Sequence, residues 1–450
     1  MLQYKAMTEL IQRYHIAGTS AGEIATSIET AIRAGGLQPG DRLATVRGLA
    51  AALGVSPVTV AAAYRRLSER GLLSAAGRRG TTVCSGPLLP SRVESPRLPS
   101  GVRNLADGNP DPALLPDLRA ATARLRLPRR LYGDEPTLPE LLDLARAELR
   151  RDGIDPLAVT VVGGAMDGIE RTLLAHLRPG DRVAVEDPCY PAVRDLVAAM
   201  GMTADPVVLD DYGPRPDDLE RALSHGAAAL MLTPRAQNPS GAALDEARTA
   251  ELRAVLDRHP GTLLLEDDHA GAIAGVEALS LSGGHRGPWV VVRSAAKTLG
   301  PDLRLAVLAG DPTSVARVEG RQRLGTGWVS HVLQELVLTL LSDPATAKLV
   351  ARAADTYTER RTGLVAALAR RGLRAQGRSG LNVWIPVAEE GATVQQLLSR
   401  GWGVRGGERY RFRTPPAIRV TTADLLPDEA ERLAGDLAEL LRPTRRTGTA

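Results

Sequence analysis

Over roughly the first 80 residues the apolar positions recur at helical spacing, and beyond about residue 100 they gather into short runs separated by helical segments. In PGDRLATVRGLAAALGVSPVTVAAAYRRLSERGLL two short helices are predicted around Gly54-Val55. Ser56 suits the N-cap of the second helix and Pro57 its first turn. Val60, Tyr64 and Leu67 then fall on one face, with Thr59, Ala62, Arg65 and Arg66 on the opposite one. The following AAGRRGTTV, a glycine-flanked basic tip between β-like residues, predicts a wing. Downstream, Val159–Val162, Val183–Val185, Ala228–Leu232, Leu263–Leu265, Val290–Val292 and Leu303–Leu308 read as buried strands alternating with helices, an α/β pattern. Between the two parts, SGPLLPSRVESPRLPSG carries too much proline for a helix. The expected division is a helical module over 1–84, a linker over 85–102 and a large domain over 103–445.

Composition is that of a soluble protein with material for more than one core: 450 residues, 44% hydrophobic and 24% charged. No apolar stretch approaches the roughly 20 residues of a membrane span. The N-terminus lacks the apolar core and cleavage site of a secretory signal, so a cytoplasmic location without a membrane partner is expected. Cys84 and Cys189 are far apart and suggest neither a disulfide framework nor a metal site. The overall charge of +4 is unevenly placed. Residues 1–84 hold ten Lys and Arg against five Asp and Glu, a net of +5, while the other 366 residues hold 46 against 47, a net of −1. A basic excess confined to the helical module is what a surface facing nucleic-acid phosphates requires. A helix with a core stripe behind and small, polar or basic residues in front suits a major groove. Arg42, Ser56, Thr59 and Arg65 are therefore candidate contacts to double-stranded DNA, with Arg78 and Arg79 on the wing. The plainer alternative is that these arginines solvate a surface.

In open α/β sheets ligands gather at the carboxyl ends of strands, so the residues after the apolar runs are site candidates. VTVVGGAMDGIERTLLAHL places the amides of Gly164, Ala165 and Met166 at a helix N-terminus, where a phosphate is stabilised; simple packing glycines are the alternative. Tyr190 in EDPCYP is held between prolines, to stack on a flat heterocycle or to fill a core. Asn238 in TPRAQNPSG offers a donor to a phenolate oxygen, or merely shapes its turn. TLLLEDDHAG ends a buried strand in three acids and His269. A carboxylate there needs a cationic partner, such as a protonated pyridine nitrogen, and metal ligation is the competing idea. VVVRSAAKTLGPDLRLAVLAG brings Lys297 with Ser294 three residues before it and Arg304 seven after. An amine that condenses with an aldehyde needs a partly desolvated setting, and serine with arginine can hold a phosphate. Lysine is scarce in this arginine-rich chain, which suggests that a primary amine is required at Lys297.

The PGDRL opening, the VRGLA helix and the wing resemble the GntR-type winged helix-turn-helix, and the five downstream elements resemble fold-type I aminotransferases. Together they resemble the MocR-type branch of GntR regulators over residues from about 15 to 440. The resemblance implies a winged helix-turn-helix joined to a large α/β domain with a smaller C-terminal α+β part. It implies pyridoxal 5′-phosphate held by Lys297 as an internal aldimine. It further implies Asp267 at the pyridine nitrogen, Asn238 near the 3′ oxygen, Tyr190 on the ring, and Ser294, Arg304 and the Gly164–Met166 turn at the phosphate. Tyr132 in LYGDEPTLPEL resembles the tyrosine that reaches a neighbouring subunit's phosphate, although Thr137 stands where the motif usually has glycine. Arg419 in PPAIRVTTA matches an arginine that grips an amino acid's carboxylate, with a surface salt bridge as the alternative. In the family Arg47 contacts the DNA backbone; Pro57 stands where the family often has arginine, and His269 where it more often has a tyrosine. Imidazole titrates near neutrality and is expected to tune the cofactor differently. The implied function is transcription regulation by a head-to-tail homodimer that senses pyridoxal phosphate itself, or an amine or amino acid effector. The alternative is a working aminotransferase with an appended DNA-binding domain.

Overall fold

The computed structural model describes residues 16–69, 72–75, 80–84 and 98–441. The chain divides into two compact units, residues 1–94 with 195–203 and residues 95–194 with 204–450.

In the first unit, α1 (Ala21–Arg33) starts at a reciprocal cap: Ser20 Oγ accepts from the Glu23 amide and the Glu23 carboxylate accepts from the Ser20 amide. The second helix, α2 (Val46–Leu53), is capped by Thr45 and ends at Gly54, whose φ of 68° turns the chain at little steric cost. The third, α3 (Pro57–Glu69), follows at once, as its apolar spacing predicts. Its Val60, Ala63 and Leu67 are buried against Ile24, Ile28 and Leu49, and the Tyr64 hydroxyl donates to the Ala44 carbonyl at 2.8 Å. Strands β1 (Leu73–Ala75) and β2 (Thr81–Val83) pair antiparallel, and Arg42 bridges to Thr82 along the other side. The expected wing-tip residues Arg78 and Arg79 lie outside the described residues, as do residues 85–97 of the expected linker.

The second unit opens with β3 (Arg103–Asn104). Its main sheet has eight strands: β4 (Ala158–Val162), β5 (Arg182–Asp187), β6 (Thr203–Asp210), β7 (Gly213–Pro214), β8 (Ala227–Leu232), β9 (Leu263–Asp268), β10 (Trp289–Ser294) and β11 (Ala306–Gly310). Their order is β4-β11-β10-β9-β8-β5-β6-β7. Strands β10, β9, β8 and β5 run parallel, and β11 is antiparallel to both β10 and β4. The carboxyl ends of β4, β5, β8, β9 and β10 therefore share one edge. Both faces are covered. Helix α4 (Ala165–His176) is linked to β4 by Gly163-Gly164. Val162, Val290, Val292 and Leu308 pack on Val315 and Val318 of α5 (Pro312–Leu324), while the alternate Val291 joins Leu230, Leu264, Leu252 and Val255 on the other side. Two-sided burial is why these strands appear in the sequence as unbroken apolar runs.

The expected strand Leu303–Leu308 is corrected. Pro301–Leu303 form a 3-10 turn, Arg304 takes a left-handed conformation (φ 44°), and the strand begins at Ala306. Strand β6 was not predicted. The smaller part consists of antiparallel β12 (Asn382–Pro386), β14 (Arg405–Gly406) and β15 (Ala417–Thr421), with β13 (Trp402–Gly403) paired to β3. Its core joins Val383, Ile385, Ile418 and Val420 to Leu364 and Leu368 of α6 (Pro344–Ala369) and Leu433 and Leu437 of α7 (Pro427–Leu440). Among the described residues no single helix is long and apolar enough to cross a membrane.

Candidate functional site

In the first unit the buried face of α3 leaves Arg65 exposed, with Thr59 and Ala62 half-buried in front. At its N-terminus the Ser56 hydroxyl accepts from the Thr59 amide at 3.1 Å and lies 2.8 Å from the Thr59 hydroxyl. The two predicted contacts thus form one polar cluster where the helix dipole is positive. Arg47 on α2 is exposed. Arg42 is exposed too, and lies against the wing: a Cβ on Gly80 would come within 2.7 Å of its Nε.

In the second unit the pocket is built from strand ends. Strand alternation puts Glu266 and Asp268 on one face of β9 and Asp267 on the other. Asp268 is clasped by Arg235, whose Nε and Nη2 each donate at 2.8 Å, and by Arg293 Nε at 2.9 Å. Although buried, it is held down at about 2 by those guanidiniums. Glu266 accepts from the Ser280 hydroxyl and the Leu281 amide, and burial still pushes it up to about 7. Asp267 has neither kind of support. Burial and the neighbouring Asp268 charge raise it to about 7, and its Oδ1 has no hydrogen-bond partner. A buried acceptor left without a partner marks a place where a donor is missing.

Lys297 is three residues beyond β10. Its Nζ donates to the Gly108 carbonyl at 2.6 Å, and burial, with the Arg419 charge adding, lowers it to about 8. His269, expected to titrate near neutrality, is corrected: burial and the Lys297 charge depress it to about 4, so it is neutral at pH 7. Arg419, on β15, is 3% exposed, which removes the surface salt bridge as its explanation. Its guanidinium donates to Asn238 Oδ1 at 3.0 Å and to the Ala106 carbonyl, and stands over the Tyr410 ring at 5.2 Å. Its Nε has no partner, and burial lowers its pKa. Asn238 and Arg419 are therefore in direct contact, which the sequence did not foretell.

At the other end, register sets Ser294 beside Ala306 and Ala306 beside Val162, so the loops after β4 and β10 and the turn before β11 meet at one corner. Gly164 there has φ 100° and caps α4 with no side chain. A Cβ on it would stand 3.1 Å from Arg304 Nη2, so glycine is required both for the backbone angle and for the arginine's approach. The expected role of the Gly164 amide is corrected, since it donates to the Val162 carbonyl at 2.8 Å. The Ala165 and Met166 amides in the first turn of α4 and the Arg304 guanidinium form a cradle for an anion. Ser294 is buried and its hydroxyl accepts from the Ala296 amide at 3.1 Å. Tyr190 is 41% exposed, with burial and Tyr410 raising its hydroxyl pKa and Arg419, Asp267 and Arg304 also acting on it. Tyr132 is not brought to this pocket: it is 94% exposed and packs edge-to-face on Trp328 at 5.7 Å.

Sequence reasoning missed several groups. Glu186 accepts from Gln237 Nε2 and the Thr233 amide, and Gln237 also donates to the Pro188 carbonyl, tying the Tyr190 loop to the Asn238 loop. Burial pushes Glu186 up to about 8. The carbonyls of Ala106 and Gly108 were missed because a backbone acceptor leaves no mark in residue identity. The available signal was Gly108 itself, whose φ is 68° and whose Cβ would stand 3.3 Å from the Arg419 guanidinium.

Residues 20–83 match the family model of bacterial regulatory proteins of the gntR family, and residues 100–437 match that of aminotransferase class I and II. The vitamin B6 salvage pathway transcriptional repressor PtsJ of Salmonella typhimurium is 40% identical over 430 residues, 95% of this chain and 99% of the relative. The HTH-type transcriptional regulator TauR of Rhodobacter capsulatus is 30% identical across 78% of this chain and 79% of its own. Among solved structures, a kynurenine aminotransferase of Pyrococcus horikoshii aligns with a TM-score of 0.68 at 20% identity, covering 76% of this chain and 91% of that one, a likeness of fold.

Proposed function

The chain belongs to the MocR-type GntR regulators, with a GntR DNA-binding domain joined to an aminotransferase class I and II domain, and from this we propose that it regulates transcription by sensing pyridoxal 5′-phosphate. The observation that carries the reading is the unpartnered Oδ1 of buried Asp267. A protonated pyridine nitrogen is a donor of the right charge for it. The other residues fit the same molecule. The Ala165 and Met166 amides, Arg304 and Ser294 would hold its phosphate, with Gly164 leaving room for Arg304. Asn238 and neutral His269 would hold its 3′ oxygen, and Tyr190 its ring. When bound, the cofactor supplies an aldehyde to which a primary amine adds and a ring that withdraws electrons.

The chain's own groups prepare that chemistry. Lys297, lowered to about 8, is neutral in about one molecule in ten at pH 7, against about one in three thousand for an ordinary lysine. The Gly108 carbonyl orients its Nζ. Arg419 retains an unused Nε–H for a carboxylate, so an amino acid can dock beside Lys297. The names of PtsJ and of PdxR, a pyridoxine biosynthesis regulator of Corynebacterium glutamicum 33% identical over 258 residues, favour the cofactor itself as effector, with an amine or amino acid as the other class. Regulation then requires that the ligand bind two arrangements of the chain unequally. Ser56, Thr59, Arg65, Arg47, Arg42 and the wing residues Arg78 and Arg79 would contact DNA. Exposed Tyr132, with Leu127 and Leu131 also exposed, supports a head-to-tail homodimer in which Tyr132 serves the partner's phosphate. A cytoplasmic location follows from that role. The full set of Lys297, Asp267 and Arg419 also supports transamination as a second reading.

The test is the visible absorbance of dialysed protein supplied with pyridoxal phosphate, before and after borohydride, beside Lys297→Ala. A band that borohydride bleaches and the variant lacks supports cofactor sensing; multiple turnovers of amino acid and keto acid would move the reading to transamination. A protein that takes up no cofactor refutes both.

A further inference from the structure

The segment that enters the second unit is held at Leu98 and again from Arg103 to Gly108, and its far end lies in the pocket. Leu98 packs on Gly403, where a Cβ would collide with its Cδ atoms. The Val102 amide donates to the Pro99 carbonyl, Arg103 to Gly401 and Leu105 to Gly403, the last two at 2.8 Å along the pairing of β3 with β13. The Arg103 side chain is clamped by Asp424 and Glu429. The Leu105 carbonyl accepts from the Thr421 amide, and the Gly108 amide donates to the Thr421 hydroxyl at 3.1 Å. Asp107 stands 3.7 Å from Arg405 and accepts from Asn104 Nδ2. The Ala106 carbonyl accepts from Arg419 and the Gly108 carbonyl from Lys297.

We propose that residues 98–108 report occupancy of the pocket to the chain that leads to the DNA-binding unit, the carbonyls of Gly108 and Ala106 being the resting partners of Lys297 and Arg419. The proposal rests on reading the pocket as a cofactor site. Any ligand that engages the Lys297 amine takes it from Gly108, and a carboxylate on Arg419 competes with Ala106. Gly108 and Leu105 share Thr421 as partner, so loss of either bond is felt at β3. From Arg103 the change passes backward through the Pro99–Val102 turn to Leu98, beyond which the sequence runs into residues 85–97. A ligand-dependent shift of this short strand against β13 carries occupancy of the pocket as far as Leu98.

The experiment is hydrogen–deuterium exchange on the full chain with and without pyridoxal phosphate, uptake being followed by absorbance. Saturation should change exchange of the Arg103, Leu105 and Gly108 amides at least fivefold. Lys297→Ala without ligand should show the loaded pattern at Leu105 and Gly108, and added cofactor should change it no further. Tryptic cleavage between residues 85 and 97 should respond to cofactor in the parent chain. In Leu98→Ala it should not, while exchange at Leu105 and Gly108 still responds. Cofactor uptake with less than twofold change at these amides overturns the coupling and leaves the cofactor reading intact. If no cofactor is taken up, that reading falls, and Lys297→Ala alone decides: exchange identical to the parent chain overturns the coupling, and a changed pattern at Leu105 and Gly108 upholds it.

Discussion

Replacing Asp267 by asparagine separates what the carboxylate does for the fold from what it does for a ligand. In the ligand-free chain burial holds this group at about 7, against an ordinary value of 3.8. The folded state therefore binds a proton that the unfolded state has released between those two values, so stability falls as pH rises through this window and stays low above it. At 1.36 kcal/mol per unit the full penalty above pH 7 is about 4 kcal/mol, of which about 1 to 2 kcal/mol is already present at pH 5. Asp267→Asn keeps the shape and removes the titration. Urea unfolding of the ligand-free proteins should then show the parent losing about 2 to 3 kcal/mol relative to the variant between pH 5 and pH 8. Glu186 and Glu266 are also raised by burial and occur in both proteins; the Asp267 charge adds to the rise at Glu186, so its removal eases that group too and acts in the same direction. With pyridoxal phosphate the order reverses, because the ring nitrogen relieves the charge only in the parent: the variant's affinity should fall by at least a hundredfold, or about 2.7 kcal/mol. A variant with the parent's pH dependence, or with undiminished cofactor affinity, would refute the assignment of Asp267 as an unsatisfied charge awaiting a cation.

Three further outcomes follow from the geometry. Gly164→Ala forces a side chain into φ 100° and against Arg304, so phosphate-dependent cofactor affinity should drop at least tenfold by equilibrium dialysis, with about 1 to 3 kcal/mol lost from stability. The rate of cofactor uptake should rise with pH up to about 8 and level off above it, as Lys297 loses its proton, with a second inflection near 7 from Asp267 that Asp267→Asn removes and none from His269, which titrates at about 4. Arg65→Ala should weaken binding to duplex DNA about equally across sequences and lower the slope of log affinity against log salt by about one, as expected for a phosphate contact; an unchanged slope would exclude Arg65 from the interface.

What the sequence made legible depended on how each feature is encoded. The helix-turn-helix could be read closely because capping and apolar spacing are local: Ser56, Gly54 and the Val60, Tyr64, Leu67 stripe each specify their structure within a few residues. The sheet was legible where burial on both faces leaves unbroken apolar runs. It failed at Leu303, where Arg304 adopts a left-handed turn that an apolar count cannot see, and at β6, whose TADPVVLD mixes polar with apolar positions. Within the pocket, the loops carrying Lys297, Asn238 and the acidic run were visible because chemistry-bearing side chains follow strands. The separate fates of Glu266, Asp267 and Asp268 were not, since they depend on which partners fold brings to each face: Ser280 and Leu281 to the first, Arg235 and Arg293 to the third, and none to Asp267 Oδ1. A charge is identified as functional here only by subtraction, once every neighbouring acid has been assigned its cation or donor. The same reasoning applies to Arg419, whose Asn238 and Ala106 contacts are neutral and leave its guanidinium charge for an anion still to arrive.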